Sequence, residues 1–123
     1  IKKKVNLIEI KSCNLKRNKK IEFEKIKILE KLNKSDHVIV LDRSGEDMTS
    51  NEFANFFSKK MLNGCKQITF VIGGADGIDN ELIESFRCFS FGNKTWPHLF
   101  TRLMLIEQIY RSFSIIDNHP YHK

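Results

Sequence analysis

The chain has 123 residues, 41% of them hydrophobic and 10 of them Phe, which is enough for one compact domain, 1–123, with its own core. No apolar run approaches the roughly 20 residues of a membrane-spanning helix, and the first residues lack the apolar stretch of a secretory signal, so we expect no membrane partner. The net charge of +6 is concentrated in residues 1–20, where eight Lys or Arg accompany one acid; this pattern favours a polyanion such as nucleic acid and a solvated lysine-rich segment about equally.

The first half of the chain predicts a strand, a helix and a second strand. Val5–Ile10 alternates like a half-buried strand, residues 13–20 are polar enough for a loop, and Glu22–Leu32 has apolar residues at helical spacing. His37–Leu41 is a continuous β-branched run, which is typical of a parallel strand covered on both faces. We expect Asp42–Gly45 to close this strand with a turn.

The middle of the chain predicts another helix and strand. Thr49 and Glu52 form a capping box, and the helix that follows carries Phe at helical spacing until about residues 63–64. Ile68–Ile72 is a second buried-type strand and leads directly into a glycine-rich turn.

The last third predicts a short helix capped by Asp79, a short strand Cys88–Phe91, a loop at residues 92–95 and a long helix His98–Ile116. Alternation of strands and helices favours an α/β fold with a mainly parallel sheet. Apolar residues cover most of the circumference of the long helix, more than one small sheet can bury, so we expect a homodimer.

The glycine turn Gly73-Gly74-Ala75-Asp76-Gly77 matches neither common phosphate-binding pattern. The dinucleotide fingerprint needs GxGxxG and the P-loop needs GK[ST], whereas Gly77 is followed by Ile78-Asp79. Asp76 and Asp79 would repel a phosphate. The turn therefore favours a ligand without phosphate, bound by main-chain groups; a purely structural tight turn is the alternative.

The three cysteines and the histidines are the candidate metal ligands and catalytic groups of the chain. Cys13, Cys65 and Cys88 are widely spaced and without a CxxC pair, which indicates reduced thiols. His119 and His122 stand three residues apart in the tail with no third ligand nearby, so we expect no metal and a tail that docks on a partner or substrate. A metal-dependent hydrolase built on His98, His119 and His122 is a remote alternative.

Five separated blocks of the sequence resemble one family. They are Leu41-Asp42 with Gly45, Gly73-Gly74-x-Asp76-Gly77, Thr95-x-Pro97-His98, Glu107-Gln108-x-Tyr110-Arg111 and Asn118-His119-Pro120-Tyr121-His122. In this order they resemble the small SPOUT-class methyltransferases that methylate N3 of a pseudouridine in large-subunit ribosomal RNA. The resemblance covers residues 5–123.

The resemblance implies a fold, a cofactor and a partner. Its members have an α/β fold with a C-terminal deep trefoil knot, act as homodimers and bind S-adenosylmethionine in the knot loops near the dimer interface. Carried over by motif, the cofactor-binding residues are Leu41, Gly73, Phe91, Gly92, Asn93, Lys94, Thr95 and Trp96. S-adenosylmethionine has no phosphate, which agrees with the acidic glycine turn.

The resemblance also implies an RNA site and a proton acceptor for the methylated nitrogen. The candidates for the general base are His98, Tyr121 and His122. Residues expected to contact large-subunit ribosomal RNA or the assembled ribosome are Arg111, His119, Lys123, Lys16 and Arg17. We read Glu107–Arg111 as a structural i, i+4 pair.

The chain departs from the family in two places. Relatives usually begin with a further strand and helix before the position of Ile1, which we expect this chain to lack. Gly92 stands where relatives usually carry a serine, which removes a hydroxyl from the cofactor loop. A non-catalytic RNA-binding or ribosome-assembly protein that retains the fold is therefore the alternative function. Bacterial cytoplasm and an organelle with bacterial-type ribosomes fit the sequence equally.

Overall fold

The computed structural model describes residues 4–10, 15–32, 37–74, 77–92, 94 and 96–122. Its elements in chain order are α1 (Arg17–Lys31), β1 (His37–Asp47), α2 (Ser50–Leu62), β2 (Ile68–Ile72), α3 (Asn80–Ser85), β3 (Arg87–Ser90) and α4 (His98–Ile116). The α/β class predicted from the sequence is confirmed.

The three strands form a parallel sheet in the order β2-β1-β3. Successive side chains of a strand point to opposite faces, and β1 shows this directly. Ile39 and Leu41 join the core on the side of α2 and α4, whereas Val38 and Val40 pack on the other side with residues of α1 and α3. Both faces of β1 are covered, which explains its continuous apolar run.

Phenylalanines dominate the core between the sheet and α2. Phe53, Phe56 and Phe57 are buried along one side of α2, and Phe53 and Phe56 meet Phe89 of β3 edge to face, at ring-centroid distances of 5.7 and 5.0 Å. Such contacts add to the burial of the rings themselves. Phe89 is only 1% exposed, and it therefore anchors β3 against the helix layer.

The capping box predicted at the start of α2 is confirmed. The Glu52 N–H donates to Thr49 Oγ1 at 3.1 Å, and the Thr49 N–H donates to Glu52 Oε1 at 3.0 Å. The first turn of α2 therefore has two of its otherwise unpaired N–H groups satisfied. This fixes α2 directly after the end of β1.

Two predictions for the basic N-terminal region were wrong. Residues 5–10 lie outside any helix or strand, and Val5, Leu7 and Ile8 are each more than 60% exposed. Alternation alone does not make a strand, because a strand needs a sheet edge to pair with. The segment instead reaches α4, where Arg102 Nη1 lies 2.7 Å from Glu9 Oε1.

The predicted loop at 13–20 is helical from Arg17 onward, so α1 begins five residues before the predicted start at Glu22; residues 13 and 14 lie outside the described residues. The prediction relied on apolar spacing, which is absent from the lysine-rich first turn although lysine itself is a good helix former. The basic residues of this region therefore sit at the N-terminal end of a helix.

The predicted turn at Asp42–Gly45 does not end β1, which continues to Asp47. The turn chemistry is present, since the Ser44 N–H donates to Asp42 Oδ2 at 3.0 Å, but it produces an irregularity inside the strand. β3 pairs with Leu41 before it and with Glu46 after it, both through Phe89. β3 itself lies one residue earlier than the predicted Cys88–Phe91.

The long helix α4 is confirmed at its predicted bounds and has two unlike sides. Leu105, Ile109 and Phe113 pack into the core, and Phe113 lies 5.2 Å from Phe57 between ring centroids. Away from the core, the helix carries five large side chains that are 46–65% exposed: Leu99, Phe100, Leu103, Ile106 and Tyr110. We call these five residues the α4 stripe. Within the described residues, no helix combines the length and apolar character needed to cross a bilayer.

Candidate functional site

The carboxyl ends of β2 and β3, and the point after Leu41 where β1 becomes irregular, bring predicted cofactor residues to one edge of the sheet. Leu41 pairs with Ile72, which precedes Gly73, and also with Phe89, which lies two residues before Phe91. In open α/β sheets, ligands bind outside the carboxyl ends of the strands. The arrangement therefore places Leu41, Gly73 and Phe91 where a ligand of this fold is expected.

Ser90 shapes the loop that leaves β3. Its Oγ accepts a hydrogen bond from the Gly92 N–H at 3.0 Å and donates to the Gly92 carbonyl oxygen at 2.9 Å. Gly92 has φ +105°, a conformation that L side chains rarely adopt. A glycine is thus favoured here by the backbone.

Two adjoining cavities open along this edge. The smaller, of about 70 Å³, is lined by Leu41, Asp42, Arg43, Phe89, Phe91, Gly92, Lys94 and Thr101. The larger, of about 440 Å³, is a cleft lined by Glu46, Asp47, Met48, Ser50, Phe53, Phe89, Ser90, Phe91, Met104, Glu107 and Gln108. Phe89 and Phe91 line both, so the two cavities meet at these rings.

The larger cleft combines an apolar floor with three carboxylates, those of Glu46, Asp47 and Glu107. Arg87 holds Glu46 through two hydrogen bonds of 3.2 and 3.1 Å, which keep the pKa of Glu46 below its ordinary value. The cleft is therefore suited to a ligand with both apolar and cationic parts.

The C-terminal tail is tied to α4 by a hydrogen-bonded group at the border of this cleft, which we call the tail cluster: Glu107, Arg111, Tyr121 and His122. Arg111 donates to Glu107 from Nε at 2.9 Å and from Nη2 at 2.8 Å, and its Nη1 lies 2.9 Å from His122 Nδ1. The guanidinium lies over the Tyr121 ring, 4.9 Å from its centroid.

The electrostatics of the tail cluster favour charged Glu107 and Arg111. The hydrogen bond from Arg111 lowers the pKa of Glu107, although burial opposes this, and the same bond raises the pKa of Arg111. Gln108 connects the cluster to the start of α2, because its Nε2 lies 3.3 Å from Glu107 Oε1 and its Oε1 accepts from Ser50 Oγ at 2.8 Å.

The structure brings Arg111, Tyr121 and His122 together but keeps His98 apart from them within one chain. His98 is exposed at the first position of α4, and Arg111 lies 13 residues later, about 20 Å along a helix axis. His119 is exposed, and its N–H donates to the Ser114 carbonyl oxygen at 2.7 Å. Exposed positions are also held by Lys16, Lys94 and Trp96. Asn93, Thr95, Lys123 and the Arg17 side chain lie outside the described residues.

Sequence reasoning missed most of the residues that line the larger cleft, including Asp47, Met48 and Met104. Glu46 and Asp47 were missed because β1 was predicted to end at Leu41. Their position just before the capping box, at the carboxyl end of a parallel strand, is the signal that identifies them.

Among the described residues, no group of three or more His, Cys, Asp or Glu side chains is arranged to hold a metal ion. Cys65 and Cys88 are free thiols. Cys13 lies outside the described residues.

The Glu107–Arg111 pair predicts an acid-dependent loss of stability. Because the folded-state pKa of Glu107 is lowered, the stabilisation that its carboxylate contributes is present above the ordinary glutamate pKa and is lost as the pH falls through the lower, folded-state pKa. Glu107→Gln should therefore lower the free energy of unfolding near neutral pH, and the difference from wild type should shrink on acidification. Urea unfolding at a series of pH values from neutral to acidic measures the free-energy difference between the two proteins. In an Arg111→Met background the pH-dependent difference should shrink, leaving the smaller effects of Tyr121 and His122 on Glu107; an undiminished difference would contradict the pairing.

Comparison with known proteins agrees with this architecture. The family model described as "Predicted SPOUT methyltransferase" matches residues 2–122, and the chain belongs to that family. It is similar to proteins named ribosomal RNA large subunit methyltransferase H. The one from Carboxydothermus hydrogenoformans is 47% identical over 107 residues, which are 85% of this chain and 67% of that protein. The one from Enterococcus faecalis is 41% identical, over 83% of this chain and 65% of that protein.

A third relative extends the similarity over nearly all of the chain. The Halothermothrix orenii protein of the same name is 38% identical over 97% of this chain and 80% of its own length. In the comparisons with the Carboxydothermus and Enterococcus proteins, however, the chain spans about two thirds of the relative's length. The family resemblance seen in the sequence is thus confirmed.

Proposed function

We propose that this protein transfers a methyl group from S-adenosylmethionine to N3 of a pseudouridine in large-subunit ribosomal RNA. The observation that supports it most is the cleft of about 440 Å³ at the carboxyl end of a parallel sheet, between predicted cofactor residues and the tail cluster, in a chain of the SPOUT family. The shared name of the relatives, ribosomal RNA large subunit methyltransferase H, supports this RNA as substrate.

The size and chemistry of the two cavities fit the methyl donor. The smaller cavity, at about 70 Å³, is too small for it, whereas about 440 Å³ lies in the range of small-molecule sites. We place the donor across both cavities, past the shared rings of Phe89 and Phe91. Its sulfonium and amino groups are cationic, and the carboxylate of Asp47 attracts them, whereas Glu46 and Glu107 are paired with Arg87 and Arg111.

The bound donor supplies an electrophilic methyl group, and the protein supplies position. When bound, the donor would supply this methyl group to the N3 lone pair, with the electrons of the C–S bond staying on sulfur and the N3 proton passing to solvent. The rate depends on aligning these atoms, and a rigid cleft between a sheet edge and a helix holds such an alignment. The tail cluster borders the same cleft through Glu107, so the target base is proposed to stack there against Tyr121.

The proposal includes RNA contacts outside the cleft. Lys16 and Arg17 at the start of α1, with Arg111, His119 and Lys123, are proposed to bind phosphates. Lys16 is exposed, and no acid lies in the first turn of α1. Binding through these residues should weaken with salt because counterions are released from the RNA.

The proposal also includes a homodimer and the knotted topology of the family. The α4 stripe supports the dimer, because large exposed apolar patches on a single chain mark interaction sites. Leu99, Leu103, Ile106 and Tyr110 lie at spacings of four, three and four residues along α4, which makes one continuous stripe. A two-fold axis across such a stripe pairs it with itself.

Donor binding predicts a thermal shift that depends on Phe91. Saturation at 100 times the dissociation constant stabilises the folded chain by about 2.7 kcal/mol, on the order of 10 °C at this chain length. Phe91→Ala should remove most of the donor-induced shift, since Phe91 lines both cavities. Differential scanning fluorimetry with and without S-adenosylmethionine measures this.

Phe70→Ala is the matched control, because Phe70 packs against the same core from β2 but lines neither cavity. Both variants should melt earlier than wild type without donor, and only Phe70→Ala should keep the full shift. No shift of the wild-type protein at millimolar donor would argue against the proposed function.

A further inference from the structure

The contact between Arg111 and His122 determines which nitrogen of the histidine carries a proton. Arg111 Nη1 lies 2.9 Å from His122 Nδ1. A guanidinium has only donors and stays protonated in proteins, so Nδ1 must accept the hydrogen bond. A neutral imidazole whose Nδ1 accepts carries its proton on Nε2.

Glu107 holds Arg111 in the orientation that this contact needs. Its two carboxylate oxygens receive hydrogen bonds from Nε and Nη2 of Arg111, a fork that fixes the plane of the guanidinium. The Tyr121 ring covers that plane, and Tyr121 itself meets Tyr110 edge to face at 4.8 Å. Two N–H groups of Arg111 bind Glu107 and one on Nη1 points to His122. Two of its five N–H groups are left for a phosphate.

We infer that the Glu107–Arg111 pair is a positioning device that holds His122 with its proton on Nε2, so that His122 donates a hydrogen bond to a carbonyl oxygen of the target base. This inference rests on the proposed function for the identity of the base. His122 is therefore a hydrogen-bond donor and not the general base, for which the sequence had made it one of three candidates.

The chemistry of the target favours a donor at this position. N3 of pseudouridine lies between two carbonyl groups, and when its proton leaves to solvent, the negative charge spreads to both carbonyl oxygens. A hydrogen bond to one of them stabilises the anion whose N3 lone pair then attacks the methyl group. No proton moves onto His122 in this sequence, because Nε2 already carries one and the Nδ1 lone pair faces Arg111.

Glu107 is not the proton acceptor either. The hydrogen bonds from Arg111 lower the pKa of its carboxyl group, and a carboxylate stabilised in this way is a weaker base. Glu107 and Arg111 therefore act through His122, as positioning residues.

The first test observes the tautomer directly, without donor or RNA. Long-range ¹H–¹⁵N spectra of protein labelled at the histidine ring nitrogens distinguish protonated from unprotonated nitrogens, and His122→Gln identifies the signals of His122. At neutral pH we expect Nε2 protonated and Nδ1 unprotonated. Arg111→Met should convert this to exchange between both tautomers, whereas Arg102→Met, on the same helix but paired with Glu9, should leave it unchanged.

The second test compares methyl transfer by three variants at position 122. Gln places an amide N–H close to the position of Nε2, Asn places one near Nδ1, and Ala has neither. We expect His122→Gln to stay within about tenfold of wild type, and His122→Asn and His122→Ala to lose about 10²–10³-fold in kcat, the range for removal of one such donor.

Each outcome decides the inference. A proton on Nδ1 of His122 in the wild-type protein overturns the inference. It is also overturned if His122→Gln has a wild-type circular dichroism spectrum but transfers methyl groups as slowly as His122→Ala. If the wild-type protein transfers no methyl group, the proposed function fails, and the tautomer spectra still decide whether Arg111 fixes His122.

Discussion

Leu103→Glu should convert the proposed homodimer to a monomer. Leu103 is 65% exposed at the centre of the α4 stripe, and pairing of two stripes would bury it twice. Burial of one leucine contributes about 1.5–3 kcal/mol, and the substitution also places two carboxylates near the two-fold axis. The dissociation constant should therefore rise by at least about 100-fold, which light scattering after size exclusion detects as a change from twice the 14.4 kDa chain mass to that mass.

Leu62→Glu provides the matched control for this prediction. Leu62 is 84% exposed at the end of α2 and is not part of the α4 stripe, so its substitution introduces the same charge without touching the proposed interface. It should leave the mass unchanged. A wild-type protein that is monomeric at micromolar concentration, or a Leu103→Glu variant that remains dimeric, would contradict pairing through the stripe.

Gly45→Ala should be among the most destabilising single-methyl additions in the chain. A Cβ built on Gly45 lies 2.6–2.7 Å from backbone atoms of Cys88 and Phe89, so β1 and β3 would have to separate at the irregularity between Leu41 and Glu46. We expect a loss of about 3 kcal/mol in the free energy of unfolding, the upper part of the usual range for overpacking. Chemical denaturation measures the loss, and faster hydrogen exchange should concentrate in β3.

Gly64→Ala is the control for Gly45→Ala, because it replaces a glycine without the steric overlap between β1 and β3. Gly64 has φ +80° with open space where a Cβ would lie, so only backbone strain opposes the substitution, at about 1 kcal/mol. Equal losses for the two variants would show that β1 and β3 do not approach as closely at Gly45 as the structure has them.

The core elements were predictable because their signals are local. The β-branched run of β1, the capping box of α2 and the apolar spacing of α4 each specify one structure by themselves, and all three are confirmed. Val5–Ile10 has an equally good strand pattern, but pairing depends on a free sheet edge elsewhere in the molecule. The continuation of β1 past Asp42 likewise depends on β3, which pairs on both sides of the irregularity.

The candidate site was predictable only in part for the same reason. The family resemblance predicted Leu41, Phe91 and the tail residues as site residues, whereas the cleft forms where α2 and α4 meet the sheet edge and has no signal in those motifs. The pair Glu107–Arg111 was evident from its spacing, whereas its contact with His122 joins residues that only the folded tail brings together. Hydrogen-bond roles at this level follow from geometry and have no signal in the sequence.

Methyl transfer to ribosomal RNA tests the central claim most directly. The protein is incubated with S-adenosylmethionine labelled in its methyl group and with large-subunit RNA or assembled ribosomes, and the modified nucleoside is identified by mass spectrometry. We expect one labelled methyl group on N3 of a pseudouridine, with much less label for Phe91→Ala than for Phe70→Ala. Salt-sensitive RNA binding with no label in either substrate would contradict this account and favour a non-catalytic RNA-binding protein.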